Sequence, residues 1–302
     1  MHNQTVITGR QVIPALADIF RQLYLVPGEE SQQLYKGVVL RGEEPPTNSL
    51  AHFITSDRDR CSFEQTPAGE VRVIVLDERQ DFETFLRIMA NRCAAVEIPR
   101  TQGASIISGI INRRRIDAHR EEFEREHPDA GLIGWNAEFR RFTQDKSNYT
   151  ESLIVLSTSP YSGIPASDFG FTPEEWLGHS MTIRMYHECT HFVCRKLFPE
   201  QVSAVWDEAV ADTVGIYAAF GRTDAAMAEH CFGITDGRYT GGRLENYLDA
   251  PTPEQLDRLA DGMHRLLKEF DAIAEAGGGL PPFELAMQLE QKQDALKGLL
   301  EV

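Results

Sequence analysis

Apolar residues along the chain follow first a mixed and then an almost purely helical rhythm. Val12 to Leu25 carries them at helical spacing and predicts an amphipathic helix, whereas Val71-Arg-Val-Ile-Val-Leu76 is a continuous run of strand length. Gln80 to Asn91 places Phe82, Phe85, Leu86 and Met89 on one side of a helix, and the short runs Ala95 to Ile98 and Leu153 to Leu156 predict strands. Between these two, Ile107 to Glu126 reads as a charged helix. Its Arg113-Arg114-Arg115 run is followed closely by Asp117, Glu121 and Glu122, which predicts a solvated face rather than a phosphate contact.

From Thr172 onward the period is helical and the starts are well marked. Thr172-Pro173-Glu174-Glu175 and Thr252-Pro253-Glu254-Gln255 each place an N-cap threonine, a first-turn proline and an acid or amide at the capping-box position. Pro253 to Ala276 predicts one long helix ended by Gly277-Gly278-Gly279, with a last helix running to about Leu300. The expected fold class is α+β, a mixed strand and helix N-terminal part followed by a mainly helical second half. The expected divisions are 1–100, a central region 101–250, and a helical region 251–302, or one compact unit of all three.

The chain has 302 residues, with Asp plus Glu 46 against Lys plus Arg 30 and a formal net charge of −16. Over most of such a surface nucleic acid and anionic membranes are repelled, so neither is an expected partner. Met1-His2-Asn3-Gln4-Thr5 lacks a basic stretch followed by an apolar one, and no apolar run nears the roughly eighteen residues of a membrane span. The cytoplasm is therefore the expected location. Cys61, Cys93, Cys189, Cys194 and Cys231 form no Cys-x-x-Cys pair, which argues against a disulfide framework or a zinc ribbon.

The chemistry lies in His187-Glu188-Cys189-Thr190-His191, inside a helical pattern from about Ser180 to Leu197. At about 100° per residue His191 falls roughly 40° from His187 and Glu188 about 100°, while Met181, Met185, Cys189, Phe192 and Val193 cluster on the far side. Two imidazoles one turn apart can reach a single metal ion, with the carboxylate between them beside a bound water. Past Pro199, Val202, Val205, Trp206, Val210 and Val214 continue the apolar period on a second helix, where Glu208 and Asp212 share a side with the small residues Ala204, Ala211, Gly215 and Ala219. Two carboxylates buried in that seam need a cation or a histidine. Glu208 would then complete the metal site and Asp212 would orient a ligand histidine through its second ring nitrogen.

In these residues the sequence resembles the gluzincin metallopeptidases, the thermolysin-like group, whose pattern is H-E-x-x-H followed by E-x-x-x-D on the next active-site helix. The resemblance covers about twenty-six residues, from His187 to Asp212. It departs from the thermolysin-like pattern at Asp207 and Ala211, where those proteins carry Asn and Ser. It implies a zincin-like second half, zinc held by His187, His191 and Glu208, Glu188 as general base, Asp212 behind a ligand, and a peptide or protein substrate. Zinc lowers the pKa of a bound water to about 7, and Glu188 would accept its proton. Tyr239, His230, Arg238 and Arg184 are the candidate oxyanion or substrate contacts, and Leu153 to Leu156 the candidate strand whose edge an extended peptide would join. Alternative readings are a non-catalytic metal-binding or regulatory module on the same fold, and a metallohydrolase of small amides or esters. A di-iron bundle built on Glu124-x-x-His127 is disfavoured, because Pro128 ends that helix and the strands do not fit a four-helix bundle.

Overall fold

The apolar run at Val71–Leu76 forms the core of a strand, and the sheet grows around it. The structure, a computed structural model, describes residues 6–200 and 203–301; the opening pentapeptide Met1–Thr5 and Val202 of the second apolar pattern lie outside the described residues. Five strands, β1 (Ile7–Thr8), β2 (Arg60–Thr66), β3 (Gly69–Leu76), β4 (Ala104–Ile111) and β5 (Thr150–Ser157), make a sheet of order β1-β2-β3-β5-β4. β1 and β2 are antiparallel, while β3 and β5 are parallel, with Arg72 opposite Leu153 and Leu76 opposite Ser157. A parallel pair needs a long crossover. It contains α3 (Arg79–Met89), α4 (Arg113–Glu126) and α5 (Gly131–Phe142); α1 (Val12–Ala17) and α2 (Glu29–Lys36) precede β2. Phe82, Phe85, Leu86 and Met89 of α3 share one buried cluster with Val12, Ile13, Leu16, Ile74, Leu153 and Val155.

The second cluster is helical. α6 (Pro173–Leu197), α7 (Ala204–Phe220), α8 (Ala225–Phe232), α9 (Pro253–Gly277), α10 (Pro282–Glu290) and α11 (Gln293–Leu296) are accompanied by a two-stranded hairpin, β6 (Ile234–Thr235) and β7 (Arg238–Tyr239). Both expected capping boxes are present, on Thr172 with Glu175 and on Thr252 with Gln255. Leu259, Met263, Leu266 and Phe270 of α9 pack in the same cluster as Trp206, Val210 and Val214 of α7. Among the described residues no helix is long and apolar enough to cross a membrane, and all five cysteines are reduced and buried.

The fold is α+β with a mainly helical second half, as expected. Its divisions fall elsewhere. One compact unit takes in the described residues up to Glu64, Val71–Pro99 and Ser105–Ser157; the other takes in Gln65–Glu70, Arg100–Ala104 and the described residues from Thr158 on. The boundaries at 100 and 250 fail because β4 and β5 complete the sheet of the first unit, and because α9 supplies core to the second. Four local expectations also change. The Val12 to Leu25 pattern is a short α1 followed by a 3-10 turn at Arg21–Tyr24. Residues 95–98 form no strand; Arg87 Nε ties down Val96 O at 2.8 Å instead. Ile107, Ile110 and Ile111 belong to β4, so the charged helix begins at Arg113, whose run pairs with Asp117, Asp18 and Glu151. The last helix breaks into α10, α11 and a 3-10 turn at Lys297–Leu300.

Candidate metal centre

α6 and α7 meet where a side chain is missing. A Cβ on Gly215 would stand 2.6 Å from the carbonyl oxygen of Ile183, closer than such atoms approach, so glycine lets the two backbones touch. The expectation of an α6 buried on one face only is corrected by this contact: His187, Glu188, Cys189, Thr190, His191 and Phe192 are all buried, because α7 covers the face that carries the imidazoles.

At that seam His187, His191 and Glu208 come together, their ligand atoms all within 4.8 Å of one another. The two Nε2 atoms are 3.0 Å apart. Glu208 Oε2 lies 3.6 Å from Nε2 of His187, and Glu208 Oε1 3.5 Å from Nε2 of His191. Bonds of about 2.0–2.1 Å at tetrahedral angles put donor atoms about 3.3 Å apart. The two rings are near that spacing and each has a different Glu208 oxygen close to it, so these three residues form a group that could hold a metal ion.

Behind the rings stand carboxylates. Nδ1 of His187 donates to Asp212 Oδ1 at 2.8 Å, the contact expected of Asp212. Asp207 Oδ2 stands 2.8 Å from Nδ1 of His191 and 3.7 Å from Arg195. His187 thus has its outer nitrogen hydrogen-bonded and its Nε2 turned to the common point, the arrangement that fixes tautomer and direction in a ligand histidine, while Nδ1 of His191 meets the Asp207 carboxylate as an ion-pair contact outside hydrogen-bond geometry. Asp212, with no exposed surface, also accepts from the Tyr161 hydroxyl at 2.6 Å and pairs through Oδ2 with Arg243. The Tyr247 hydroxyl donates to Glu208 Oε2 at 3.0 Å, and Arg243 Nη1 lies 3.8 Å from the same oxygen.

Charge follows geometry. Burial, helped by the His191 charge, pushes His187 down to about 4. For His191 burial acts in the same direction, but the adjoining Asp207 and Glu208 carboxylates overcome it and raise the ring to about 10. Glu208 is held well below the usual carboxylate range: burial would raise it, and His191, His187 and Arg243 outweigh that. Without an ion, one proton on His191 thus separates two Nε2 atoms that would otherwise repel. Burial raises both Tyr161 and Tyr247, so each keeps its proton and donates. Glu188 is 8% exposed and has no hydrogen-bond or ion-pair partner among the described residues.

None of the other sequence candidates belongs to the His187, His191 and Glu208 group. Tyr239 donates to Gly242 O and to Glu245, and His230 pairs with Asp168 at 3.1 Å. Arg238 is exposed on β7. Arg184 is buried, donates to Pro160 O at 3.1 Å, and lies 5.7 Å from the centroid of the Tyr161 ring. The strand Leu153–Leu156 is an inner strand with β3 on one side and β4 on the other, so it offers no edge for a peptide. Tyr161, Arg243 and Tyr247 were missed, because they come from 3-10 turns (Tyr161–Gly163, Arg243–Tyr247) that no periodicity marks. Asp207 was noticed only as a departure from the thermolysin-like pattern.

No curated protein and no solved structure matches the chain. Residues 14–280 match a family of unknown function, DUF7005, and over that length the chain belongs to this family.

Proposed function

We propose that the chain is a zinc-dependent hydrolase that cleaves amide bonds, with peptides as the substrate class implied by its resemblance to the gluzincins. The observation that carries the reading is the convergence of both Nε2 atoms and the Glu208 carboxylate on one point, with Asp212 hydrogen-bonded to the outer nitrogen of His187 and Asp207 paired in charge with His191. A set of two imidazoles and one carboxylate is a catalytic zinc set that leaves a fourth position for water. Four carboxylates gather here, Glu188, Asp207, Glu208 and Asp212; Arg243 is shared between two of them and Arg195 reaches a third. The remaining negative charge is what a divalent cation satisfies and a single proton on His191 only half meets.

When bound, zinc would supply a water of lowered pKa and polarise the carbonyl to be attacked. The chain's own residues do the rest. Glu188, buried and without a hydrogen-bond or ion-pair partner among the described residues, would accept a proton from the attacking water and pass it to the leaving amine. Asp212 holds the His187 tautomer, and the Asp207 carboxylate lies beside Nδ1 of His191. Tyr161 keeps Asp212 in place by donating to it.

Elemental analysis of protein purified without added metal should find about one zinc per chain. Glu188→Gln should keep that zinc and lower turnover of a peptide library by about 100-fold or more. Wild-type protein that holds one zinc and cleaves no peptide, amide or ester would replace the enzyme reading with that of a binding module; protein that takes up no zinc would end both.

A further inference from the structure

Arg243 and Tyr247 occupy the two ends of one 3-10 turn, Arg243–Tyr247, which belongs to neither metal-site helix. Each reaches a different carboxylate of α7, Arg243 taking Asp212 Oδ2 and Tyr247 donating to Glu208 Oε2 at 3.0 Å. The turn is held against the site by packing. Leu244 is fully buried, the Arg243 guanidinium lies 4.3 Å from the centroid of the Phe232 ring, and a Cβ on Gly242 would stand 2.8 Å from Cα of Gly233. The loop thus doubles back on the end of α8 and leaves the turn little freedom to withdraw.

We propose that this turn is a carboxylate clamp whose two side chains are positioning residues: Arg243 fixes Asp212, and through it the tautomer of His187, while Tyr247 fixes the direction of the ligand carboxylate Glu208. Asp212 accepts from His187 and Tyr161 on Oδ1, so Arg243 on Oδ2 is what stops the carboxylate from rotating away from the ring. Tyr247 occupies one lobe of Glu208 Oε2 and leaves the remaining lone pairs for an ion.

The proposal rests on the reading of His187, His191 and Glu208 as a cation site, and the test separates the two. Zinc affinity of the full chain is measured by competition with a chromophoric chelator, with circular dichroism of each metal-free variant as the fold control. Arg243→Met should weaken zinc binding by about 10- to 100-fold and Tyr247→Phe by about 10-fold, while Arg243→Lys, which keeps the charge, should recover most of the loss. In cobalt-substituted protein, Tyr247→Phe should also shift the visible ligand-field bands, because the carboxylate direction changes. Folded Arg243→Met or Tyr247→Phe protein that binds zinc as tightly as wild type, with unshifted cobalt bands, overturns the clamp and leaves the cation site standing. Wild-type protein that binds no zinc overturns both. If Arg243→Met does not fold, Arg243→Lys and Tyr247→Phe still decide it, since a purely structural arginine would not couple the loss of one hydroxyl to metal affinity.

Discussion

Both units of the molecule bury groups of acidic side chains, and they treat them in opposite ways. In the sheet unit Asp81 accepts from the backbone N–H groups of Ile54 and Thr55, each at 2.8 Å, and Asp59 accepts from those of Ser56 and Asp77 at 2.9 and 3.0 Å. Amide donors are fixed parts of the chain, so these carboxylates tie a loop to the start of α3 and are closed to anything else. In the helical unit Asp207, Glu208 and Asp212 face imidazoles, two phenols and guanidinium groups. Imidazoles exchange a proton for a metal; amides do not. An acidic cluster is therefore informative only through the kind of partner it keeps: the first holds backbone, and the second carries the proposed metal site.

The contrast can be broken most forcefully at Glu208. Glu208→Ala should lower zinc affinity by about 1,000-fold, since it deletes a ligand where the loss of a supporting group already costs about 10- to 100-fold; stoichiometric zinc in this variant would undo the assignment. Asp81→Ala should do the reverse. By stranding two backbone donors it should cost about 3 kcal/mol in urea unfolding and leave zinc affinity unchanged, and a parallel loss of zinc would show that the first cluster is not merely architectural.

A sharper test uses pH. Burial pushes the Glu290 carboxyl on α10 up to about 7 from 4.5, so the folded protein binds that proton more tightly than the unfolded chain does. The resulting stability is full below about pH 4.5 and is lost as the pH rises through 7. Glu290→Gln should remove a decline of about 3 kcal/mol across that window; an unchanged pH profile would place the proton elsewhere. The smallest effect is expected at the helix crossing. Gly215→Ala should force α6 and α7 apart and cost about 2 kcal/mol with some loosening of zinc, whereas unaltered stability would mean that the seam has room to spare.

The juxtaposition of His187, His191 and Glu208 was legible in the sequence because helical geometry carries it. His187 and His191 lie one turn apart, as do Glu208 and Asp212, and small residues announced the close crossing that Gly215 makes. Even the Asp212 contact with the far side of His187 follows from the need to pair a buried acid. Tyr161, Arg243 and Tyr247 follow from nothing local. They arrive from turns 31 to 51 positions from the carboxylates they contact, and only the tertiary fold selects them. In the sheet unit the failures share another cause. Ile106, Ile107, Ile110 and Ile111 are spaced for a helix as well as for a strand, and the charged run after them tipped the reading the wrong way. The short run 95–98 has the composition of a strand, but neighbours claim its backbone first.

The spread of the site along the chain, from Tyr161 to Tyr247, sets an order of events during synthesis. A ribosome releases both histidines and Glu208 well before it has made Arg243, so a nascent chain at that stage displays loose chelating groups without the guanidinium that braces them. If the group binds an ion as proposed, its full surroundings exist only once residue 247 has emerged and docked, which would tie tight ion uptake to the finished protein rather than to its growing fragment.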